Sequence, residues 1–301
     1  LFAVCAQFFF FAATVEGQDL GHKLPGLIGL DAGRIPPPGL YLVDQVVSYT
    51  ADELRDRNGN LIPIQSLELR ASANAMGVSY TGRLPRDGLL VTVTAAVPVA
   101  QFSINVPDRP ELSFDRFGLA DIYIQPIQLG WQKDRFDLVG AYAIYLPSGI
   151  SPLAGGKGVS AGQVTHQFSV GGSTYRGQSR SLFVSGLAGY ELNLRKRNID
   201  ITRGDTFQVQ GGVGVNRLNQ TLELGVAGFG LWQVRDDRGS DLPAVIRGAR
   251  DRVFGLGPEA AMRVDSIHCQ FRARYEWDTG VQSRPKGNVF SFGVYFLAWS
   301  P

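Results

Sequence analysis

Histidine, cysteine and methionine are scarce in this chain, with 3 His, 2 Cys and 2 Met among 301 residues. So few imidazoles and thiols leave little room for a zinc or iron–sulfur site, and no cofactor is implied. Net charge is nearly absent too. The 29 Lys and Arg against 27 Asp and Glu give a formal balance of +2. That excess is too small to draw a polyanion, so nucleic acid is excluded as a partner. Long apolar runs are also missing. Beyond residue 17 nothing reaches the roughly 18 uninterrupted apolar residues of a spanning helix. What is abundant is glycine and aromatics: 37 Gly, 18 Phe, 10 Tyr and 4 Trp. Hydrophobic residues make up 44%, enough for a large core, so wholesale disorder is excluded. The glycine and aromatic content points to an all-β chain with many turns.

Residues 1–15, LFAVCAQFFFFAATV, form the longest apolar stretch. It is shorter than the ~20 residues a spanning helix needs and suits the h-region of a secretory signal peptide. The opening Met and basic n-region are missing. Small residues Val15 and Gly17 place the expected cleavage after Gly17. Bulky Val4 directly before Cys5 argues against lipoprotein processing. Removing 1–17 leaves Cys269 alone, so export brings no internal disulfide.

The rest of the chain reads with a period of two. In 266–277, Ile267, Cys269, Phe271, Ala273, Tyr275 and Trp277 share one face, and His268, Gln270, Arg272, Arg274 and Glu276 share the other. A strand separates these sets and a helix mixes them. Similar alternation runs through 67–77, 206–216 and 289–298. The stretch 89–106 changes phase near Pro98, which predicts a bulge. Twelve such segments lie near 39–50, 64–82, 88–106, 117–132, 134–147, 163–176, 179–193, 203–217, 219–235, 249–264, 266–278 and 286–299. Several exceed the ~9–11 residues that cross a bilayer at a tilt. Connections alternate between tight turns (132–134, 217–219, 264–266) and long polar or Gly-rich loops (51–63, 107–116, 148–162, 236–248, 279–285). That is the outer-membrane pattern.

A soluble sandwich alternates as well. Three features favour a closed antiparallel transmembrane β-barrel of about 12 strands with a short N-terminal arm. The polar face is rich in Gly, Ser, Asn and Gln with isolated charges, as in a lumen. Tyr and Trp gather at strand ends (Tyr41, Trp131, Trp232, Trp277, Trp299), where interfacial girdles place them. A signal peptide delivers the chain to the periplasm, and closure removes edges that lipid cannot satisfy. The expected organisation is a signal peptide over 1–17, a Pro/Gly-rich arm over 18–38 and a barrel over 39–301. The expected location is the outer membrane of a Gram-negative bacterium.

The order and spacing of several stretches resemble a known family. They are GHKLPGLIGLDAGRIPPPGLYL (21–42), DRNGN (56–60), GLADIYIQPIQLGWQ (118–132), DLVGAYAIYLPSG (137–149), RGDTFQVQGGVG (203–214), GLWQVRDDRGSDLPA (230–244), GLGPEAAM (255–262) and RYEWDTGVQSRPKGNVF (274–290). The chain is similar to the meta-pathway phenol-degradation family of outer-membrane β-barrel transporters, related to the long-chain fatty acid transporter barrels. The resemblance implies a closed barrel and uptake of small hydrophobic or aromatic compounds. Two departures stand out: the chain ends WSP rather than on an aromatic, and Glu276-Trp277-Asp278 replaces Glu-Phe-Asp.

Charged residues expected on inward faces are Glu68, Arg70, Asp121, Glu223, Glu259, Arg263, Arg272, Arg274 and Glu276. They either line a substrate pathway or pair as cross-strand bridges that fill a narrow lumen. Arg272 and Arg274 beside Glu276 are the leading pair, because a guanidinium fork suits planar carboxylates. Segment 18–38 ends in Pro36, Pro37 and Pro38 and cannot be a spanning strand, since proline lacks the N–H donor. It either plugs the barrel as a gate or trails in the periplasm. His166 and His268 lack a telling Ser or Asp spacing, so an outer-membrane enzyme is disfavoured. The expectation is a passive, porin-like channel whose partners are outer-membrane lipid, small hydrophobic or aromatic molecules and the outer-membrane assembly machinery. The rival is a sealed structural or surface-interaction barrel.

Overall fold

The computed structural model describes residue 22 and residues 25–85, 88–177, 180–218, 220–243, 246 and 248–301. The segment expected to be the signal peptide lies outside the described residues. The strands are β1 (Gly39–Arg55), β2 (Leu61–Ile62), β3 (Glu68–Arg83), β4 (Leu89–Asn105), β5 (Phe114–Leu119), β6 (Ile122–Gln132) and β7 (Phe136–Leu146). There follow β8 (Thr165–Arg176), β9 (Leu182–Asn193), β10 (Thr206–Arg217), β11 (Leu222–Gln233), β12 (Arg252–Val264), β13 (Cys269–Gln282) and β14 (Arg284–Trp299). Sequential neighbours pair antiparallel, and β14 pairs back onto β1 from Arg55↔Arg284 to Leu40↔Trp299. Twelve strands therefore close a barrel, with β2 and β5 as extras. Closure satisfies every ladder N–H and C=O without water, which a wall facing acyl chains requires. Among the described residues no helix is long and apolar enough to cross a membrane.

Side chains alternate across the wall. On β13, Arg272, Arg274, Glu276 and Asp278 point inward and are buried, while Tyr275 and Trp277 are exposed on the outside. On β10 the outward Val209 and Val213 are exposed, and Gln208 and Gln210 are buried within. Apolar outside and polar inside is the reverse of a soluble protein and places this barrel in the outer membrane.

Two expectations need correction. The bulge does not lie at Pro98: the β3–β4 register runs unbroken through Ala75↔Pro98. It lies in β6, where Pro126 is the extra residue between two register shifts. A bulge changes strand parity, so Gln125 and Gln128, three apart, both face inward. Pro98 marks something else. There β4 changes partner, from β6 below to β5 above. The Pro98 carbonyl accepts from Ala120 N at 2.8 Å. In a strand the N–H and C=O of one residue point the same way, so the missing N–H of Pro98 faces the split between β5 and β6 and costs no ladder bond. The second correction concerns 279–285. Both strands continue through it, and only Ser283, at φ 53°, connects them.

A charged, arm-filled lumen beside an apolar chamber

Residues 25–35 run along the inside of the barrel. A single 3-10 turn over Gly29–Asp31 lies against β9, β10 and β11. Leu30, Ala32 and Ile35 are buried against the wall. The arm needs glycine where it approaches the wall most closely. Gly29 and Gly33 have φ of 60° and 76°, a region that side chains disfavour. A Cβ at Gly29 would collide with the side chains of Glu259 and Arg274, and one at Gly33 with the Gly172 backbone. Pro36, Pro37 and Pro38 stand where the arm turns into β1, with Pro37 exposed and its carbonyl accepting from Tyr41 Oη at 2.8 Å. They sit at the mouth, so the side chains that fill the lumen are those before them.

On one side of the arm the wall is ionic. Arg272 contacts Glu259 and lies 3.4 Å from Glu223 and 2.7 Å from Asp31 of the arm. Arg274 reaches Glu259 at 3.3 Å and Glu276 at 3.0 Å. Arg34 of the arm reaches Glu223 at 2.7 Å, and its guanidinium sits 3.9 Å from the Phe183 ring centroid. The Leu30 amide donates to Glu259 at 3.1 Å and the Ile28 amide to Gln210 at 3.0 Å. The expected residues Glu259, Arg272, Arg274 and Glu276 thus meet in one buried cluster together with Glu223. What the sequence reading missed is that Asp31 and Arg34 complete it. Two opposite charges three apart in DAGR (31–34), inside a segment too proline-rich to be a strand, were the available signal.

Three expected lumen residues lie elsewhere. Glu68 and Arg70 point outward, with side chains 56% and 71% exposed, and pair with one another at 3.8 Å. They share the outer face of β3 with Met76 and Tyr80. Alternation fixed which residues share a face but not which face is inside, and this end of β3 inverts the usual polarity. Arg263 stands at the end of β12, exposed, and pairs with Asp265 of the following turn at 2.7 Å.

Asp121 is buried in the gap between β5 and β6. It accepts from Ser148 N at 3.2 Å, Ala161 N at 2.9 Å and the Ser160 hydroxyl, and its Oδ2 lies 2.6 Å from His22 Nδ1. Burial alone would raise this carboxyl. The hydrogen bonds from His22, Ser160 and Ala161 outweigh it and hold the group below the ordinary carboxylate range. One side chain therefore ties the arm, the split wall and the loop 148–161 together. His166 faces outward beside Tyr142 Oη at 2.7 Å, and His268 caps a turn after β12. The Arg-Gly-Asp triplet at 203–205 is inside: Arg203 and Asp205 are buried.

Across the arm the lumen is apolar. Leu69, Ala71, Ala73 and Ala75 of β3 face Ala96, Pro98, Ala100 and Phe102 of β4 around a cavity of about 710 Å³. Polar and charged side chains also border it, among them Arg34, Gln45, Gln125, Gln128, Gln167 and Arg284, with Asp121 at the split. Gln128 donates to the Arg34 carbonyl at 3.3 Å and Gln125 to Gln128 at 3.0 Å. The cavity extends to Ala120 and to Gly158–Ala161 of the loop. Outside the same split stand exposed Phe117, Leu119 and Ile150. A mainly apolar wall bordered by polar groups is the lining expected of a pocket for an apolar molecule that carries a polar substituent.

The family model described as "Putative MetA-pathway of phenol degradation" matches residues 51–293. No curated protein matches the sequence. Among solved structures, the chain is similar to an outer membrane channel from Pseudomonas putida F1, at 13% identity and a TM-score of 0.73, covering 87% of this chain and 96% of that one. It is also similar to the beta domain of the Bordetella autotransporter Brka, at 9% identity and a TM-score of 0.51, covering 86% and 99%. At such identities the likeness concerns the barrel fold.

Proposed function

Because the chain belongs to the MetA-pathway phenol-degradation family, we propose that it is a passive outer-membrane uptake channel for small hydrophobic or aromatic molecules. One observation carries this reading: part of the lumen is a chamber of about 710 Å³ walled mainly by apolar side chains, although barrel interiors are otherwise polar. A sealed structural barrel gains nothing from an unfilled apolar cavity, because each missing contact costs dispersion energy. The solute leaves the outer leaflet or the medium at the split between β5 and the loop 148–161, where Phe117, Leu119 and Ile150 form an apolar lip. It occupies the chamber, with Gln125 and Gln128 offering hydrogen bonds to a polar substituent. It leaves toward the periplasm once the arm moves. The arm is the gate, and the cluster around Arg272 is its latch. Downhill diffusion drives the passage.

The test is accumulation of a fluorescent naphthylamine by cells whose outer membrane carries the full-length protein. Ala73→Trp and Ala96→Phe fill the chamber from the neighbouring strands β3 and β4. Both are expected to abolish the accumulation that the wild-type protein confers, while the heat-modifiable gel shift of a folded barrel persists. Folded variants that accumulate the probe at the wild-type rate would refute the chamber as a pathway. Equal accumulation with and without the wild-type protein would favour the sealed barrel.

A further inference from the structure

Asp44 of β1 is an exposed carboxylate on the lipid-facing wall. Its neighbours there are apolar: Leu42 and Val46 along the strand, and Met76 and Val294 opposite on β3 and β14. A charge in that setting is costly and marks a functional contact by default. Asn74 of β3 donates one amide hydrogen to Asp44 Oδ1 at 2.6 Å. The second amide hydrogen of Asn74 and the other lone pairs of Asp44 remain for a neighbour.

Two further observations concern the same wall. The outward positions of β1 and β4 carry no aromatic residue, and those of β3 carry only Tyr80. The strands on the other side of β1 are dense with them: Tyr275 and Trp277 on β13, and Phe290, Phe292, Phe296 and Trp299 on β14, are all exposed. An aromatic girdle anchors a wall that meets lipid headgroups, and here it is interrupted. In the gap the outer surface is concave. A depression of about 670 Å³ spans β14, β1, β3 and β4, and its outward polar residues include Asp52, Glu68, Arg70 and Gln101. Its mixed and slightly acidic charge does not suit an anionic lipid headgroup, which would call for a basic cluster.

We propose that this wall binds a second copy of the chain, forming a two-fold dimer in the membrane. The residues are complementary to themselves under that symmetry. Asp44 and Asn74 lie on adjacent strands, where Asp44 pairs with Met76 and Asn74 with Val46. A two-fold axis along the membrane normal between β1 and β3 sets β1 of one copy against β3 of the other. Asp44 of each then meets Asn74 of its partner, and Asp52 of each meets Arg70. An isologous contact of this kind closes at two copies. Polar side chains joining across a lipid-embedded interface supply the attraction that apolar packing alone does not.

The experiment places one cysteine near the axis, Val46→Cys, or one on the far wall, Val209→Cys on β10, in a Cys269→Ala background. Full-length protein in outer-membrane vesicles is treated with a short bismaleimide. Val46→Cys should give a crosslinked band at twice the monomer mass and Val209→Cys should not. Adding Asp44→Leu with Asn74→Leu should lower the Val46→Cys dimer yield about tenfold, equivalent to ~1.4 kcal/mol, with the heat-modifiable shift retained. Equal yields from the two cysteine positions overturn the proposal. So does a Val46→Cys product of any other mass, or a folded double-leucine variant that dimerises as before. If the double variant fails to fold, the comparison of the two cysteine positions decides alone.

Discussion

Asp31 of the arm lies 2.7 Å from Arg272 of β13, and Arg272 also contacts the wall carboxylates Glu223 and Glu259. A single guanidinium thus serves both the barrel wall and the arm. The two roles separate by mutation because Asp31 is partly exposed, whereas Glu259 is buried.

Asp31→Ala removes one of the arm's bonds to the wall and leaves Arg272 with two carboxylates. The barrel is expected to stay folded, at a loss of about 1–2 kcal/mol, while the arm loosens. Single-channel recording in a planar bilayer should show higher or more frequent conductance than wild type. Unchanged conductance would mean that the arm is held by its apolar contacts instead.

Gly33→Ala attacks the seating of the arm sterically. The position has φ 76° and its Cβ would meet the Gly172 backbone. The strained conformation alone costs about 1–3 kcal/mol, and a strand backbone cannot yield. The arm should detach from β8, and protease added from the periplasmic side should cleave within 25–38 faster than in wild type.

Asp121 links the structure to pH. Its folded carboxyl is held below the ordinary value near 3.8, so the native arrangement binds fewer protons than the unfolded one. Its contribution is complete above that ordinary value and is lost as pH falls through the lowered one. Proteolysis of the loop 148–161 should therefore accelerate only in strongly acidic buffer. Asp121→Asn should show accelerated cleavage at neutral pH and a weaker dependence on acid.

The two groups of charges expected in the lumen should behave oppositely. Glu68 and Arg70 are exposed on the outer face, and neutralising either should change stability by no more than about 0.5 kcal/mol. Arg274 is 1% exposed and its removal leaves Glu259 and Glu276 short of a counterion. Arg274→Ala should cost about 3–5 kcal/mol. Urea unfolding from lipid vesicles measures both.

Period-two alternation, strand number, turn sides and the membrane setting were all legible in the sequence, because each depends on neighbours one or two residues apart. On β13 even the inward set Arg272, Arg274 and Glu276 could be read directly, since Phe271, Tyr275 and Trp277 mark the lipid side. On β3 the same rule misplaced Glu68 and Arg70. There the inner wall is itself apolar, and polarity no longer distinguishes inside from outside. The bulge at Pro126 escaped for a related reason: two prolines, 98 and 126, stand in adjacent strands, and only the pairing shows which interrupts a ladder.

The sequence by itself determined a twelve-stranded wall with a non-strand arm before it. Only the tertiary structure decided that Asp31 and Arg34 meet Glu223, Glu259 and Arg272, and that Asp121 joins His22 to a loop more than a hundred residues away. The reason is closure. Strand formation is local and leaves its periodicity in the chain, but the interior of a barrel is assembled from all strands at once. What fills it, and what it leaves empty, depends on register and curvature that no single segment records.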